Sequence, residues 1–212
     1  MKRQQINTVI EREKLVAIVR LKSKTIINPA IKSLVEGGIK ILEITSNTPG
    51  YLQKIQEFRE LYPDILIGAG TVTNLKIAQE AIDAGAQFLV TPNTDPRIIE
   101  VAHANNISVL MGAMTPSEIN LASENGADFI KLFPAGDLGT NYFKSIRAPF
   151  DKVKFFAVGG INPENVKNWL EAGIVGVGMG GHLVKVSEDG VDEKLTKSIV
   201  QETIKLIKTY GV

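Results

Sequence analysis

The feature that most constrains the fold of this sequence is a regular alternation of short apolar segments and longer amphipathic ones. Eight segments rich in Ile, Val, Leu or Phe have the pattern of strands that are covered on both faces. We therefore predict strands at Leu15–Arg20, Lys40–Thr45, Ile65–Ala69, Gln87–Thr91, Ile107–Met111, Asp128–Phe133, Lys154–Val158 and Ile174–Val177. Eight strand–helix units in 212 residues favour a compact TIM (β/α)8 barrel of the α/β class.

Stretches with helical spacing lie between the predicted strands, and several of them end on a glycine. The clearest are Pro29–Glu36, Leu52–Leu61, Leu75–Ala84 and Ser117–Asn125. Glycine adopts a positive φ at low cost, so it ends a helix just before the next strand begins. We also predict an N-terminal helix and a C-terminal amphipathic helix, Asp192–Tyr210, which packs outside the barrel through Leu195, Ile199, Thr203, Leu206 and Ile207.

The chain has no Pro-, Gly- or Ser-rich linker and no low-complexity segment, so residues 1–212 are predicted to form one domain. An open Rossmann-like sheet is the alternative to a barrel. That fold wants a G-x-G-x-x-G motif after its first strand, and the segment that follows Leu15–Arg20 contains no glycine.

The composition excludes several classes of function. A net charge of +1 argues against a nucleic-acid partner, which needs a concentrated basic surface. The absence of Cys excludes disulfides and thiolate metal sites, and two His leave little material for a His-based metal site or triad. No signal peptide, no membrane span, no metal and no cofactor are predicted, and the expected location is cytoplasmic.

Barrel enzymes place their chemistry at the carboxyl ends of the strands. The polar or small residues at these ends are Arg20, Glu43, Thr45, Thr71, Thr91, Lys131 and the pair Gly159-Gly160. Because side chains alternate between the two faces of a strand, every second residue lies on the same face. Three such faces are Phe129, Lys131 and Phe133 in one strand, Ile41, Glu43 and Thr45 in a second, and Ile67, Ala69 and Thr71 in a third. If these faces point inward, a Lys, a Glu and a Thr converge on a cavity that Phe129, Phe133 and Pro92 enclose.

Lys131 is the most informative of these residues. Burial among aromatic side chains favours the neutral amine, which can add to a ketone and form a Schiff base. Glu43, a partly desolvated carboxylate near that amine, suits proton transfer. The alternatives are an unreactive buried Lys131–Glu43 ion pair, Glu43 as a counter-ion of Arg20, or a Lys131 whose charged end reaches solvent.

Two glycine-rich segments follow the last two predicted strands. Gly159-Gly160 and Gly178-Met179-Gly180-Gly181 stand where barrels commonly bind a phosphate through bare backbone N–H groups. Asn162-Pro163 then has the pattern of a helix start. The alternative is that these glycines only make tight turns. His182 is interpreted as a partly exposed residue at a helix start, and His103 as a surface residue.

Taken together, the motifs resemble those of the 2-keto-3-deoxy-6-phosphogluconate/4-hydroxy-2-oxoglutarate aldolase family. The similarity runs from VAIVR to GHLV. Its markers are LEIT with Glu43, GAGTV with Thr71, FLVTPN with Pro92, TPSE at Thr115–Glu118, FIKLFPA with Lys131 and Phe133, and AVGGI at Ala157–Ile161.

The resemblance implies a class I aldolase on a TIM barrel, usually a homotrimer, with Lys131 as the Schiff-base lysine and Glu43 as the proton-transferring base. It places Arg20 and Thr71 near the pyruvate carboxylate and Pro92 and Phe133 in the wall. By the same resemblance, the phosphate end is lined by Gly159, Gly160, Gly180 and Gly181. The implied substrate is a small keto acid, and the implied reaction yields pyruvate and an aldehyde without a metal.

Three positions depart from the phosphogluconate-specific members of that family, which often carry Arg, Thr and Ser there. The residues here are Asn47, Val158 and Gly181. The first two resemble the 2-dehydro-3-deoxy-6-phosphogalactonate branch, while the third differs from both branches, so 4-hydroxy-2-oxoglutarate also remains a candidate substrate. Two other functions stay open, a phosphate-binding isomerase or synthase without an imine and a non-catalytic sugar-phosphate sensor.

Overall fold

Eight parallel strands form a closed barrel in the computed structural model, which describes residues 1–187 and 190–211. The strands are β1 (Leu15–Val19), β2 (Ile41–Thr45), β3 (Leu66–Gly70), β4 (Phe88–Val90), β5 (Ser108–Ala113), β6 (Phe129–Leu132), β7 (Phe155–Val158) and β8 (Gly176–Met179). Each pairs with its neighbours in chain order, and β8 closes the barrel by pairing with β1, with Val16 opposite Gly178. The predicted barrel is confirmed, and the open-sheet alternative is wrong.

Helices follow the strands and cover the outside of the barrel. They are α1 (Arg3–Glu13), α2 (Lys24–Glu36), α3 (Tyr51–Leu61), α4 (Leu75–Asp83), α5 (Pro96–Ala104), α6 (Pro116–Glu124), α7 (Ala135–Arg147), α8 (Val166–Glu171) and α9 (Glu193–Tyr210). A short hairpin of β9 (Val186–Ser187) and β10 (Gly190–Val191) precedes α9. No helix in the described ranges is long and apolar enough to cross a membrane.

The apolar side chains form two cores. The larger one lies between the outward faces of the strands and the helices. The smaller one fills the lower part of the barrel, and Ile6 and Ile10 of α1 close it from below. The strands contribute to this inner core the side chains of Val16, Ile41, Leu66, Phe88, Val90, Leu110, Phe129 and Phe156. The inner core is therefore a dry floor beneath the open end of the barrel.

Two expectations about strand faces are wrong. Phe129 packs in this floor, with its ring 5.2 Å from that of Phe156, so it does not enclose the cavity above. In β3, Ile67 and Ala69 face the helices, whereas Gly68 and Gly70 face inward. The reason is packing, because a Cβ atom at Gly68 would lie 2.6 Å from the ring of Phe88, so only glycine fits this inward position.

The C-terminal helix packs outside the barrel through most of the predicted face. Thr203 and Ile207 are buried, and Ile199 and Leu206 are partly buried against the outer core. Leu195 is 46% exposed, so this one residue of the predicted face is wrong. The Thr203 hydroxyl donates to the Ile199 carbonyl, so its polar atom is satisfied within the helix.

His103 is not the free surface residue that was predicted. Its Nε2 lies 3.0 Å from Oδ2 of Asp128, a carboxylate that also accepts from the Val109 backbone N–H. Arg3 and Asn7 of α1 donate to the other oxygen of Asp128, at 3.1 and 2.6 Å. This half-buried polar cluster fastens α1 to the lower end of the barrel, away from the strand ends where a site is expected.

Candidate active site

A cavity of about 420 Å³ opens at the carboxyl ends of the strands, and we refer to it as the mouth cavity. It is lined by Ile18, Arg20, Glu43, Thr45, Asn47, Thr71, Pro92, Lys131, Phe133, Val158, Gly159, Gly160, Ile161, Gly178, Gly180, Gly181 and His182. The residues to which the sequence assigns catalysis or substrate binding all lie in this lining, whereas Thr91 and the predicted wall residue Phe129 do not. Ile18 was not predicted, although alternation from Arg20 points to it.

Lys131 and Glu43 face each other across the barrel, because their strands β6 and β2 are four positions apart in a ring of eight. Lys131 is 5% exposed and Glu43 is 2% exposed. Within the described residues, neither side chain forms an ion pair with an N···O distance of 4.0 Å or less. The Lys131 ammonium nitrogen instead lies 4.7 Å from the centroid of the Phe133 ring, over its face.

Burial shifts the pKa of both groups so that the uncharged form of each is favoured. It lowers the pKa of Lys131, and the nearby positive charge of Arg20 lowers it further, while the Glu43 carboxylate acts in the opposite direction. Burial raises the pKa of Glu43 above its usual range, against the attraction of Lys131 and Arg20. The pair therefore combines an amine that loses its proton readily with a carboxyl group that binds one readily.

The Glu43 carboxylate occupies space that an inward glycine leaves open. A Cβ atom at Gly70 would overlap this carboxylate and would lie 2.6 Å from its Cγ. Two strands further along the barrel, a Cβ atom at Gly112 of β5 would lie 2.5 Å from the backbone of Pro92. The buried Thr91 hydroxyl accepts from the Gly112 N–H at 2.8 Å, which holds the Pro92 segment against β5.

Thr71 reaches the mouth cavity through an unusual backbone conformation. Its φ is +56°, in the left-handed region that a β-branched residue rarely adopts. Strand alternation would place Thr71 on the outer face with Ile67 and Ala69, and the left-handed residue breaks that alternation. The sequence therefore located Thr71 correctly for the wrong reason.

The glycine loops after β7 and β8 form one side of the cavity. Gly159 and Gly160 both have positive φ, at +90° and +74°, and Gly136 approaches so closely that a Cβ atom at Gly160 would lie 3.0 Å from its Cα. Within the described chain, no backbone carbonyl accepts from the N–H groups of Gly160 or Gly181. These groups are therefore available to an anion.

The segment after Gly160 has the predicted helix start at Asn162-Pro163. The Asn162 side chain accepts from the Asn165 N–H at 2.9 Å, and the Asn165 side chain accepts from the Asn162 N–H at 3.0 Å. The Asn162 carbonyl oxygen also accepts from the Val166 N–H at 3.0 Å, as in the first turn of a helix. Asn162 therefore caps this turn, and the regular helix α8 continues from Val166.

Arg20, Asn47 and His182 are exposed at the rim of the cavity. The Thr45 hydroxyl lies 2.7 Å from Asn47 Oδ1 and 3.0 Å from the hydroxyl of Thr48, which in turn lies 3.1 Å from the Val19 carbonyl oxygen. Since the amide oxygen of Asn47 is engaged by Thr45, its NH2 group is the part left to act on a bound molecule. His182 belongs to a turn, not to a regular helix.

The TPSE motif has a structural role. Thr115 and Glu118 form a capping box at the start of α6, in which the Glu118 carboxylate accepts from the backbone N–H groups of Met114 and Thr115. These hydrogen bonds lower the pKa of Glu118. The motif thus fixes the loop after β5, outside the lining of the mouth cavity.

Comparison with known proteins assigns this barrel and its cavity to a family. Residues 6–202 match the KDPG and KHG aldolase family. The chain belongs to this family. The 2-dehydro-3-deoxy-6-phosphogalactonate aldolase of Escherichia coli K12 is 32% identical over 183 residues, which are 85% of this chain and 86% of that protein. The chain is accordingly an aldolase, and aldolases are lyases.

Further relatives carry the names of other branches. The 2-dehydro-3-deoxy-phosphogluconate aldolase of Treponema pallidum is 33% identical over 76% of this chain and 77% of that protein. The crystal structure of the 2-keto-3-deoxy-6-phosphogluconate aldolase of Zymomonas mobilis ZM4 with 3-phosphoglycerate superposes with a TM-score of 0.85, at 29% identity and 96% coverage of both chains. The similar identities do not separate the branches.

Proposed function

We propose that this aldolase works through a Schiff base on Lys131 and cleaves a 2-keto-3-deoxy-6-phospho sugar acid to pyruvate and glyceraldehyde 3-phosphate. The observation that carries the proposal is the position of the Lys131 amine. It is buried at the open end of the barrel, its pKa is lowered, and the Glu43 carboxyl faces it across the same cavity. An amine with a lowered pKa that shares a cavity with a group able to bind and release a proton is what imine formation and aldol cleavage require.

The reaction begins when the Lys131 nitrogen adds to the C2 ketone and the resulting carbinolamine loses water to give an iminium ion. Glu43, directly or through a water molecule, then takes the proton of the C4 hydroxyl. The C3–C4 bond breaks, its electron pair moves into the iminium ion, and the aldehyde leaves an enamine of pyruvate. Glu43 returns its proton to C3, and water hydrolyses the pyruvate imine.

The substrate binds across the cavity in this proposal. Arg20 and Thr71 hold the carboxylate of the pyruvate half, and Pro92 and Phe133 pack against its carbon chain. The phosphate lies against Gly159, Gly160, Gly180 and Gly181, whose backbone permits the close approach of an anion. Family membership supports this assignment, since relatives of both branches act on phosphorylated keto acids according to their names.

Asn47 and Val158 distinguish the substrate in this proposal. Val158 adds an apolar, 6% exposed surface to the cavity, and the Asn47 NH2 group offers a neutral donor at the rim. The resemblance of these two positions to the 2-dehydro-3-deoxy-6-phosphogalactonate branch is what supports that substrate over phosphogluconate. A shorter substrate without a phosphate, such as 4-hydroxy-2-oxoglutarate, would bind through the same pyruvate half and would make no phosphate contact with the glycine loops.

Borohydride trapping tests the mechanism, and a pyruvate-release assay tests the substrate. Reduction in the presence of pyruvate should give a stable adduct on Lys131, and Lys131→Ala should give none, whereas the surface variant Lys152→Ala should match the wild type. An isomerase or synthase without an imine gives no adduct, and a sensor gives no turnover. Rates of pyruvate release from the phosphogalactonate, phosphogluconate and hydroxyoxoglutarate substrates then rank the three.

We also propose that the chain functions as one domain, assembles as a homotrimer and acts in the cytoplasm. The trimer rests on the family resemblance, and the location rests on the composition, which includes no cysteine. Sedimentation equilibrium of the purified protein tests the trimer. A mass of a single 23.0 kDa chain would contradict it.

A further inference from the structure

The left-handed conformation of Thr71 needs a cause, because nothing in the chemistry of a threonine favours it. Thr71 directly follows β3 and lines the mouth cavity, whereas the alternation of β3 continued in an extended conformation would place its side chain on the outer face. A β-branched residue with a φ of +56° persists only where surrounding interactions determine it. The hydrogen bonds around Thr71 identify these interactions.

The peptide group between Thr71 and Val72 is held at both ends. The Ser46 hydroxyl donates to the Thr71 carbonyl oxygen at 2.8 Å. The Val72 N–H donates to the Val90 carbonyl oxygen at 3.1 Å, which ties the same peptide to the end of β4. The Ser46 N–H also donates to the Gly70 carbonyl oxygen at 2.8 Å. Ser46 thus binds two successive carbonyl groups at the point where the chain turns.

We propose that Ser46 is a positioning residue, whose hydroxyl holds Thr71 in the conformation that presents its side chain to the carboxylate of the pyruvate half. This inference rests on the proposed function, which assigns the carboxylate to Thr71 and Arg20. Ser46 is not among the described residues that line the mouth cavity. It therefore acts through Thr71 and not through a contact of its own with the substrate.

Loss of the hydroxyl has a specific consequence. The Thr71 carbonyl loses its partner, and the peptide can rotate toward the extended conformation that threonine prefers. The Thr71 side chain then follows the alternation of β3 and leaves the cavity. Lys131 and Glu43 are carried by other strands, so their chemistry is retained while the binding of the carboxylate weakens.

The test compares Ser46→Thr with Ser46→Val, two side chains of nearly equal shape of which only threonine keeps the donor. Pyruvate is titrated in the borohydride trapping of Lys131. Ser46→Val should raise the half-saturating pyruvate concentration about twofold to tenfold, the range of one net hydrogen bond. Ser46→Thr should stay at the wild-type value. The exchange rate of pyruvate C3 protons at saturation should be unchanged in both.

Two further variants separate positioning from general stability. Ser145→Ala removes a serine hydroxyl that donates to the Asn141 carbonyl on α7, and it should match the wild type in half-saturation. Thr71→Gly removes the side chain that Ser46 is proposed to position, and glycine adopts a positive φ without help. Adding Ser46→Val to Thr71→Gly should therefore not raise the half-saturating pyruvate concentration any further. Melting temperatures are recorded for every variant.

The outcomes are distinguishable. If the wild type forms no adduct, the proposed function fails, and this shows before any variant is made. If the wild type is trapped and Ser46→Val keeps its half-saturation, the positioning role is wrong. It is equally wrong if Ser46→Thr and Ser46→Val weaken pyruvate binding alike, or if the effect of Ser46→Val persists in full beside Thr71→Gly.

Discussion

Replacing Gly70 by alanine should displace the group to which proton transfer is assigned. The added Cβ atom would overlap the Glu43 carboxylate and lie 2.6 Å from its Cγ, whereas ordinary contacts begin near 3.4 Å. The carboxylate must therefore move by about 1 Å or more, and a displacement of about 1 Å at a reacting group costs about 10²-fold in rate. Overpacking this buried position should also lower the free energy of unfolding by about 1–3 kcal/mol.

The assay follows the exchange of pyruvate C3 protons with deuterated water by NMR, because this reaction needs only the imine and the base. Gly70→Ala should slow the exchange about 10²-fold, while borohydride still traps pyruvate on Lys131. Slow exchange together with normal trapping is diagnostic, because it shows that the pyruvate imine forms but that the transfer of its C3 protons is impaired. Urea denaturation gives the accompanying loss of stability.

Gly85→Ala is the matched control for destabilisation. Gly85 ends α4 with a φ of +90°, and no atom lies within 4 Å of the position of an added Cβ. Alanine there should cost about 1 kcal/mol of backbone strain without touching Glu43, so the exchange rate should stay at the wild-type value. If Gly70→Ala exchanged protons within threefold of the wild type, the displaced carboxylate would not be the base.

Three further outcomes are expected. Glu43→Gln should slow pyruvate proton exchange about 10²–10⁴-fold with little change in half-saturation for trapping, which kinetics at varied pyruvate would measure. Lys131→Met should form no adduct and should raise the pKa of Glu43 further, because a positive neighbour is lost. A carboxyl whose pKa is raised on folding makes the protein less stable as the pH rises above the usual carboxyl range. Urea denaturation at a series of rising pH values should therefore show a steeper loss of stability for Lys131→Met than for the wild type. Asn47→Arg should lower KM for a phosphorylated substrate relative to 4-hydroxy-2-oxoglutarate about threefold or more, and added salt should reduce this gain. An equal KM change for both substrates would show that a side chain at position 47 does not act on the phosphate.

The barrel could be predicted because its signal is repeated eight times, so an error of one or two residues at any strand end does not change the topology. The face of β3 that points into the barrel could not be predicted. Its segment LIGAG is apolar or small on both faces, and period-two alternation carries no information where both faces are buried. Only the bulky neighbours Phe88 and Glu43 decide that Gly68 and Gly70 point inward.

The residues of the candidate site could be predicted more completely than their geometry. Strand ends, glycine loops and the family motifs lead to residues that line the mouth cavity, because all of these signals are local in the sequence. The peptide after Thr71 is held by hydrogen bonds to Ser46, which follows β2, and to Val90 of β4, and neither partner is near Thr71 in the sequence. His103 was misjudged for the same reason, since its partner Asp128 lies 25 residues away in the chain.

One packing rule connects the lower barrel with the candidate site. Inward glycines stand beside large groups of a neighbouring strand, as in the pairs Gly68–Phe88, Gly176–Phe156, Gly178–Val158 and Gly70–Glu43. In the lower layers of the barrel, the group that fills the space beside the inward glycine is an aromatic ring, and these rings form the apolar floor of the barrel. One layer higher it is a carboxylate, which is then buried opposite Lys131 above that floor. The burial that shifts both pKa values is therefore a consequence of how a narrow barrel fills its interior, which is why a single methyl group at position 70 should reach the chemistry.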